Sequence, residues 1–395
     1  MGLMGEYIAR NMNPKELETE LLKYISKYNK HKNTFLMIYA SAIGKLNVDP
    51  LLTLCTDDYY TIYDMLKDND AENLDFYIET PGGSGEAAEE IVKFIRDKFK
   101  IVNFVISGEA KSAGTILALS GDEILMTKSG SLGPIDAQVR IGRSTVSSHD
   151  YLEWVKAKHK EATDNGTLNL FDATVIAQIS PGELNGVFQA QKFAEDLVKE
   201  WLPKYKFKNW TVTETRKATV DDKYRQKTAE EVTTKLVDHS LWHSHGRSLK
   251  IADLNDTVGL KIIRVDDDPI LADIVYRIQT ILRLLFLNTT TYKIFATEHE
   301  KIFKNATQGS IGLPQMLPAK QSDVISFDVT CAKCGDLHKL YAKFIPNPTI
   351  DKDFKARGFE PFPKGNKLIC KCGFETDLNA VRNEIETNIG KKFIL

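Results

Sequence analysis

Residues 14–30, PKELETELLKYISKYNK, repeat apolar positions at helical spacing with charges between them, and they predict a first helix. The run NTFLMIYAS (33–41) is nearly all apolar and rich in strand formers, so it reads as a first core strand. A second helix is expected where Ile62, Met65 and Leu66 share an inner face, with Thr56 or Asp57 as its cap. LDFYIET (74–80) and IVNFVIS (101–107) are short apolar strands separated by a helix-length segment, residues 86–98. GDEILMT adds another strand, and a turn at Gly130, Gly133 and Pro134 follows it. Strands alternating with helices imply βαβ units and a parallel sheet.

Beyond that turn the pattern loosens. AQVRIGRSTVSS (137–148) is extended in character, residues 149–161 are helical, and Pro181-Gly182 opens an amphipathic helix running to Leu202. Residues 203–225 are polar and irregular, and a helix follows with Thr228 as cap and Glu231 closing a capping box. A helix and a strand complete this unit near residue 265. Residues 268–303 read as helical again, with YRIQTILRLLFL turned toward an interior or toward a second copy of the chain. Residues 307–322 look like a linker. The expected domains are therefore 1–266, a helical segment and linker over 267–322, and a small β-rich module over 323–395.

Length and charge narrow the function classes. A chain of 395 residues with 42% hydrophobic content can bury more than one core. A net charge of −2 gives no global attraction for nucleic acid or anionic membrane. No apolar run approaches the roughly 20 residues of a spanning helix, and no secretory leader is visible. The expectation is a soluble, cytoplasmic protein.

Two glycine turns carry the candidate chemistry. Pro81-Gly82-Gly83 ends one strand of the central pair, and Gly108-Glu109-Ala110-Lys111-Ser112-Ala113-Gly114 ends the other. In a parallel sheet both would lie at the carboxyl edge, where active sites gather. A serine at such a turn is commonly a helix cap. The neighbouring turn favours a second reading, with Ser112 as nucleophile and one amide from each turn binding an oxyanion.

The spacing TPGG-x-x-x-AAE-x-I, then A-x-SAGT-x-x-AL-x-x-DEI-x-M, then S-x-LGP-x-D-x-Q resembles the Clp-fold serine proteases. It is most similar to the serine dehydrogenase proteinase family, related to signal peptide peptidase A and ClpP. The likeness is specific over residues 74–138 and looser over 30–265. It implies a ClpP/crotonase-type α/β spiral and peptide hydrolysis by an ATP-independent serine peptidase. Ser112 would be the nucleophile, Gly83 and Ala113 the oxyanion donors, and Gly82 the residue that shapes the turn. Pro134 falls at about the place of the Clp histidine, so the base is sought further on. The signal-peptide-peptidase relatives use a lysine after the Gly-Pro turn, and the matching region here holds His149, Lys156, Lys158 and Lys160. His149 ranks ahead of Lys156, which makes the site Ser-His or Ser-Lys in type. Asp136 orients the base or caps a turn, and His239, His243 and His245 are assigned to structure. Lys111, directly before the serine, has no assigned role. The resemblance also implies a homo-oligomer.

Four of the five cysteines, Cys331, Cys334, Cys370 and Cys372, crowd the C-terminal module. Paired Cys-Gly knuckles in a β-rich segment point to a structural zinc ribbon, with His338 as a substitute ligand because the second pair is Cys-x-Cys. With four protein ligands such a zinc has no open position and docks a protein or substrate instead of catalysing. Two other functions fit the same residues: a crotonase-like enzyme acting on acyl-thioesters, which needs no nucleophilic serine, and a non-catalytic oligomeric scaffold.

Overall fold

A computed structural model describes residues 2–45, 48–141, 144–213, 217–306, 323–331, 333–389 and 391–394. The linker expected at 307–322 lies outside the described residues. The chain divides into two compact units, Met1–Ser310 and Ile311–Leu395.

The first unit is built on strands β1 (Phe35–Ser41), β2 (Asn73–Glu79) and β3 (Ile101–Ile106), which pair in parallel. Glu123–Met126 and the short Ile263–Arg264 extend the parallel sheet beyond β3. Every residue of β1 is buried, because helices cover both faces of the sheet. Side chains alternate between the two layers. Phe76, Ile78, Phe104 and Ile106 pack on one side with Ile91, Leu117 and Val198. Tyr77 and Val105 face the other side, against Leu21, Ile278 and Leu285. The helices Gly85–Lys98 and Ala113–Leu119 are the crossovers that return the chain to the sheet, in a mixed α/β fold.

Several boundaries differ from the sequence expectation. Of the helical segment and linker expected over 267–322, the described part, 267–306, belongs to the first unit. Pro269–Asn288 is helical and packs on Pro14–Lys32, but Thr291–Ala296 and Lys301–Asn305 form a hairpin. That hairpin adds antiparallel strands to the free edge of β1. Three consecutive threonines, Thr289 to Thr291, end the helix, since β-branched residues crowd the preceding turn. The helix capped by expectation at Thr228 begins at Asp222 under an Asp221 cap, and the Thr228 hydroxyl bonds back to the Tyr224 carbonyl. The cap at the second helix is Cys55, not Thr56 or Asp57. AQVRIGRSTVSS contains the paired strands Gln138–Ile141 and Ser144–Ser147, and a short helix, Leu170–Ile176, lies between the two helices expected at 149–161 and from Pro181.

The second unit has a three-stranded sheet of Val324–Thr330, Leu337–Lys343 and Glu360–Pro361, and a separate hairpin of Lys367–Ile369 with Glu375–Asp377. Its core is small: Leu340, Ala342, Phe344, Phe362, Leu368, Leu378, Ile385 and Phe393. No helix among the described residues is long and apolar enough to cross a membrane.

Candidate active site

The parallel register of β2 and β3 continues past the strand ends. The Thr80 amide donates to the Glu109 carbonyl at 2.8 Å, and the Lys111 amide donates to the Thr80 carbonyl at 3.0 Å. The two glycine turns are thereby laced side by side. Within the second turn Ser112 adopts φ 49°, ψ −117°, a conformation that strains any residue with a Cβ. Such strain costs about 1–3 kcal/mol and persists only where neighbours enforce it. Here the Thr115 hydroxyl donates to the Ala110 carbonyl at 2.8 Å and accepts from the Gly133 amide at 2.9 Å, while the Gly114 amide closes on the Lys111 carbonyl at 2.8 Å.

Ser112 stands at the N-cap of Ala113–Leu119, yet its side chain accepts no capping hydrogen bond. The cap reading of this serine is therefore set aside. Its hydroxyl is partly exposed and uncommitted among the described residues.

The first turn requires both glycines. Gly82 has φ 103°, and a Cβ there would lie 2.7 Å from Ser112 Cβ. Gly83 has φ 150°, and a Cβ there would meet the Leu54 carbonyl oxygen at 2.3 Å. Leu54 brackets the turn: its amide donates to the Gly82 carbonyl at 2.7 Å, and its carbonyl accepts from the Ser84 amide at 2.9 Å. The Gly82 amide is used on the Thr80 hydroxyl at 3.2 Å. The amides of Gly83 and Ala113 have no partner among the described residues. Ala113 opens a helix, where the unsatisfied amides carry partial positive charge.

Lys111 acquires a structural role. Its buried ammonium donates to the Leu132 carbonyl at 3.0 Å, the Arg247 carbonyl at 3.1 Å and the Ser248 hydroxyl at 2.9 Å. All three protons are used, so this lysine ties the turn of Ser112 to two distant segments. Burial brings its pKa down to about 8, Glu109 opposes that shift, and Lys250 adds to it.

The proton acceptors expected from sequence have different surroundings. Lys156 is exposed and paired with Glu153 at 2.8 Å, without the apolar burial that a lysine base requires. Lys158 is bound between Glu161 and Asp172. His149 is half-buried, and its Nδ1 is enclosed without a hydrogen bond, 3.7 Å from Asp150. Asp136 is fully buried. It accepts from His245 Nδ1 at 2.8 Å and from Gln138 Nε2 at 2.9 Å, with His239 Nδ1 at 3.5 Å. Burial pushes its carboxyl upward, but the bond from His245 helps to hold it below the usual range. His245 was assigned to structure from the sequence, and the carboxylate it meets lies 109 residues away.

In the second unit each cysteine pair occupies the turn of a hairpin. Gly335 and Gly373 take φ 76° and 80°, which lets the backbone fold around the sulfurs. The Cys331 and Cys372 sulfurs are 3.6 Å apart, those of Cys334 and Cys370 are 3.5 Å apart, and all four lie within 4.8 Å of one another. A tetrahedral thiolate site with metal–sulfur bonds of about 2.3 Å needs sulfurs about 3.8 Å apart, so this donor set fits a structural metal. Cys372 completes the set despite its short spacing, and His338 stands beside it in an overlapping group with Asp336 and Cys370.

The profile of the ClpP-like SDH-type serine proteinases matches residues 7–224, more than half of the chain. The chain belongs to that family, one of serine peptidases. Two uncharacterized proteins of Methanocaldococcus jannaschii are similar to it. One is 31% identical over 138 residues, covering 35% of this chain and 46% of the relative. The other is 26% identical over 197 residues, covering 49% and 64%. The chain thus spans less than two thirds of either relative. Among solved structures, a serine-to-alanine mutant of the 1510-N membrane-bound stomatin-specific protease aligns at 18% identity and a TM-score of 0.22, over 36% of this chain and 64% of that one. A lysine-to-alanine mutant of that protease, in complex with a substrate peptide, aligns at 21% identity and a TM-score of 0.22, over 27% and 54%. At that score neither structure bears on the assignments that follow.

Proposed function

We propose that the first unit is an ATP-independent peptidase that cleaves peptide bonds through an acyl-enzyme on Ser112. The observation that carries this reading is a serine hydroxyl left uncommitted at a strained turn, beside two unpartnered amides, those of Gly83 and Ala113. In the reaction Ser112 Oγ bonds to the scissile carbonyl carbon as its proton passes to a base. The carbonyl oxygen becomes an oxyanion and accepts from the two amides. Collapse breaks the carbon–nitrogen bond and the amine leaves with the proton. Water then repeats the sequence on the ester and frees Ser112. Each amide of an oxyanion pair is worth about 3–4 kcal/mol of barrier. Gly82 keeps the two turns in contact by having no side chain.

Within this reading the second unit holds zinc through Cys331, Cys334, Cys370 and Cys372. Four thiolates leave no position for substrate, so the metal's part is structural, and the unit serves to dock a protein or the substrate. A reduced thiolate cluster fits a cytoplasmic setting. Homo-oligomer formation is part of the proposal, but the apolar helix offered for it by the sequence is used inside the unit, where Ile278, Ile281, Leu282 and Leu285 are buried. Leu170 and Phe171, 85% and 75% exposed, are better placed to meet a second copy.

Peptide hydrolysis by the Ser112→Ala protein tests the assignment. Its kcat should fall by about 10⁴–10⁶-fold, as for removal of a nucleophile in other serine hydrolases. Hydrolysis retained at the wild-type rate contradicts the assignment, whereas turnover of an acyl-thioester that Ser112→Ala leaves intact, with no peptide hydrolysis by either protein, favours the acyl-thioester reading.

A further inference from the structure

We infer that the first unit carries a second binding site, at the opposite edge of its sheet from Ser112, for the C-terminal carboxylate of a peptide ending in an aromatic or apolar residue. The inference goes beyond the reading of Ser112 and stands without it. The site is a cavity of about 1110 Å³, lined by Asp122 and Glu123 together with residues 205–207, 209–213 and 259–262. Glu123 opens its strand at the amino edge of the sheet. The Asp122 amide just before it donates to the Val102 carbonyl at 2.7 Å, near the start of β3. The Ser112 turn follows the other end of β3. With a rise of about 3.3 Å per residue over that strand, the two places lie roughly 15–20 Å apart.

The charges of the lining favour an anion. Lys206 has a side chain only 4% exposed, and its ammonium donates to Glu123 Oε2 at 3.2 Å. That is its one hydrogen bond among the described residues, which leaves donors for a second acceptor. Glu123 is 46% exposed and free to turn outward when a ligand carboxylate arrives. Burial lowers the Lys206 pKa, Glu123 and Asp122 oppose that shift, and Lys261 adds to it. Asp122 is already neutralised by Arg96 at 2.6 Å. Three cations, Arg96, Lys206 and Lys261, thus stand against two carboxylates. A balance of one positive charge suits a carboxylate and not a phosphate dianion.

The apolar lining says what the carboxylate is attached to. Phe207 and Tyr224 each pack on Trp210, with ring centroids 5.6 and 5.5 Å apart. Trp210 spends its Nε1 on the Val212 carbonyl at 2.9 Å, so the indole meets a ligand as apolar surface. Val212 and Tyr224 are 47% and 42% exposed, and the cavity opens to solvent beside them. Pockets of about 300–1,000 Å³ take a drug-sized ligand, so this volume holds several residues of a chain and not one free amino acid. The strand Ile263–Arg264 pairs with Leu125 and Met126 alone, which leaves the sheet edge at Glu123 open to an extended backbone among the described residues.

Fluorescence polarisation on the full-length Ser112→Ala protein tests the site without relying on hydrolysis. The probes are a labelled hexapeptide ending in Leu-Phe with a free carboxylate, the same peptide as its C-terminal amide, and N-acetylphenylalanine as competitor. The acid should bind at least about tenfold tighter than the amide, because only the acid makes a charge-assisted bond to Lys206. Lys206→Met should bring the two within about twofold of each other, and Trp210→Ala should weaken both alike. N-acetylphenylalanine should need at least about tenfold more than the unlabelled hexapeptide to displace the probe. Equal binding of acid and amide, or a preference that survives in Lys206→Met, overturns the site. Displacement by N-acetylphenylalanine as effective as that by the hexapeptide overturns the peptide end as its occupant and assigns a free carboxylic acid. If Lys206→Met does not fold, benzoylphenylalanine at the last position of the acid peptide decides. Photocrosslinks within 205–213 or 259–262 support the site, and crosslinks elsewhere overturn it.

Discussion

The Ser112 turn and the cysteine cluster place reactive atoms by opposite means. At Ser112 position comes from afar. Strands β2 and β3, Leu54, and the Lys111 bonds to Leu132, Arg247 and Ser248 enforce a backbone conformation that the local sequence does not favour. At the cysteines position comes from nearby. Two hairpin turns, each relieved by a glycine in the left-handed region, bring four sulfurs together over a small apolar core that, among the described residues, includes Leu340, Phe344, Phe362 and Phe393. The first site is held by the fold, and on the proposed reading the second site, once it binds its metal, holds its fold. The two should respond to damage in different ways.

The largest effect expected is on the second unit. Removing the metal with a chelator, or replacing Cys370 by serine, withdraws a term of about 10–16 kcal/mol at neutral pH, more than a core of that size supplies. Loss of near-ultraviolet dichroism and of bound metal should accompany each other, while Ser112 chemistry persists. A unit that stays folded without metal removes the contrast.

Next in size is Gly83→Ala. Its methyl would meet the Leu54 backbone at 2.3 Å in a region of φ closed to alanine, so a loss of about 3 kcal/mol or more is expected together with collapse of activity. Thermal unfolding and hydrolysis measured on the same sample check both. Gly82→Ala should act mainly on rate, since its methyl would press on Ser112 itself.

Lys111→Met sharpens the comparison through pH. In the folded protein the Lys111 pKa is lowered from 10.5 to about 8, chiefly by burial, so folding favours the neutral amine. The cost of burying the charged form is fully present below pH 8. It shrinks as pH rises from 8 to 10.5, because the unfolded chain then binds more protons than the folded one. Relative to Lys111→Met, the wild-type protein should therefore gain stability across that window, as read by denaturant unfolding at several pH values. A difference that is flat with pH contradicts the burial of this charge. The smallest effect is expected at Lys156→Ala, which removes an exposed pair with Glu153 worth under about 1 kcal/mol and should leave the rate unchanged.

Much of the central fold was legible because its signals are local. The alternation of apolar runs with helix-length segments gave β1, β2, β3 and their crossovers within a residue or two, and the glycines marked both turns. The hairpin of Thr291–Ala296 and Lys301–Asn305 was read as helix, because its charged residues fall at spacings that either structure accepts. Only the free edge of β1 decides between them. The cysteines were readable as a cluster, and the hairpins show how a Cys-x-Cys turn delivers both sulfurs. What could not be read was every contact made across the chain. Asp136 with His245 and Lys111 with Arg247 join residues more than a hundred positions apart, and no spacing rule in a single sequence links them.

The measurement that bears most directly on the account is mass spectrometry of the intact protein and its peptides after exposure to a fluorophosphonate. The account predicts one adduct per chain, on the peptide carrying Ser112, and none on the Ser112→Ala protein. An adduct of equal yield on that variant, or a wild-type chain left unmodified, would contradict it.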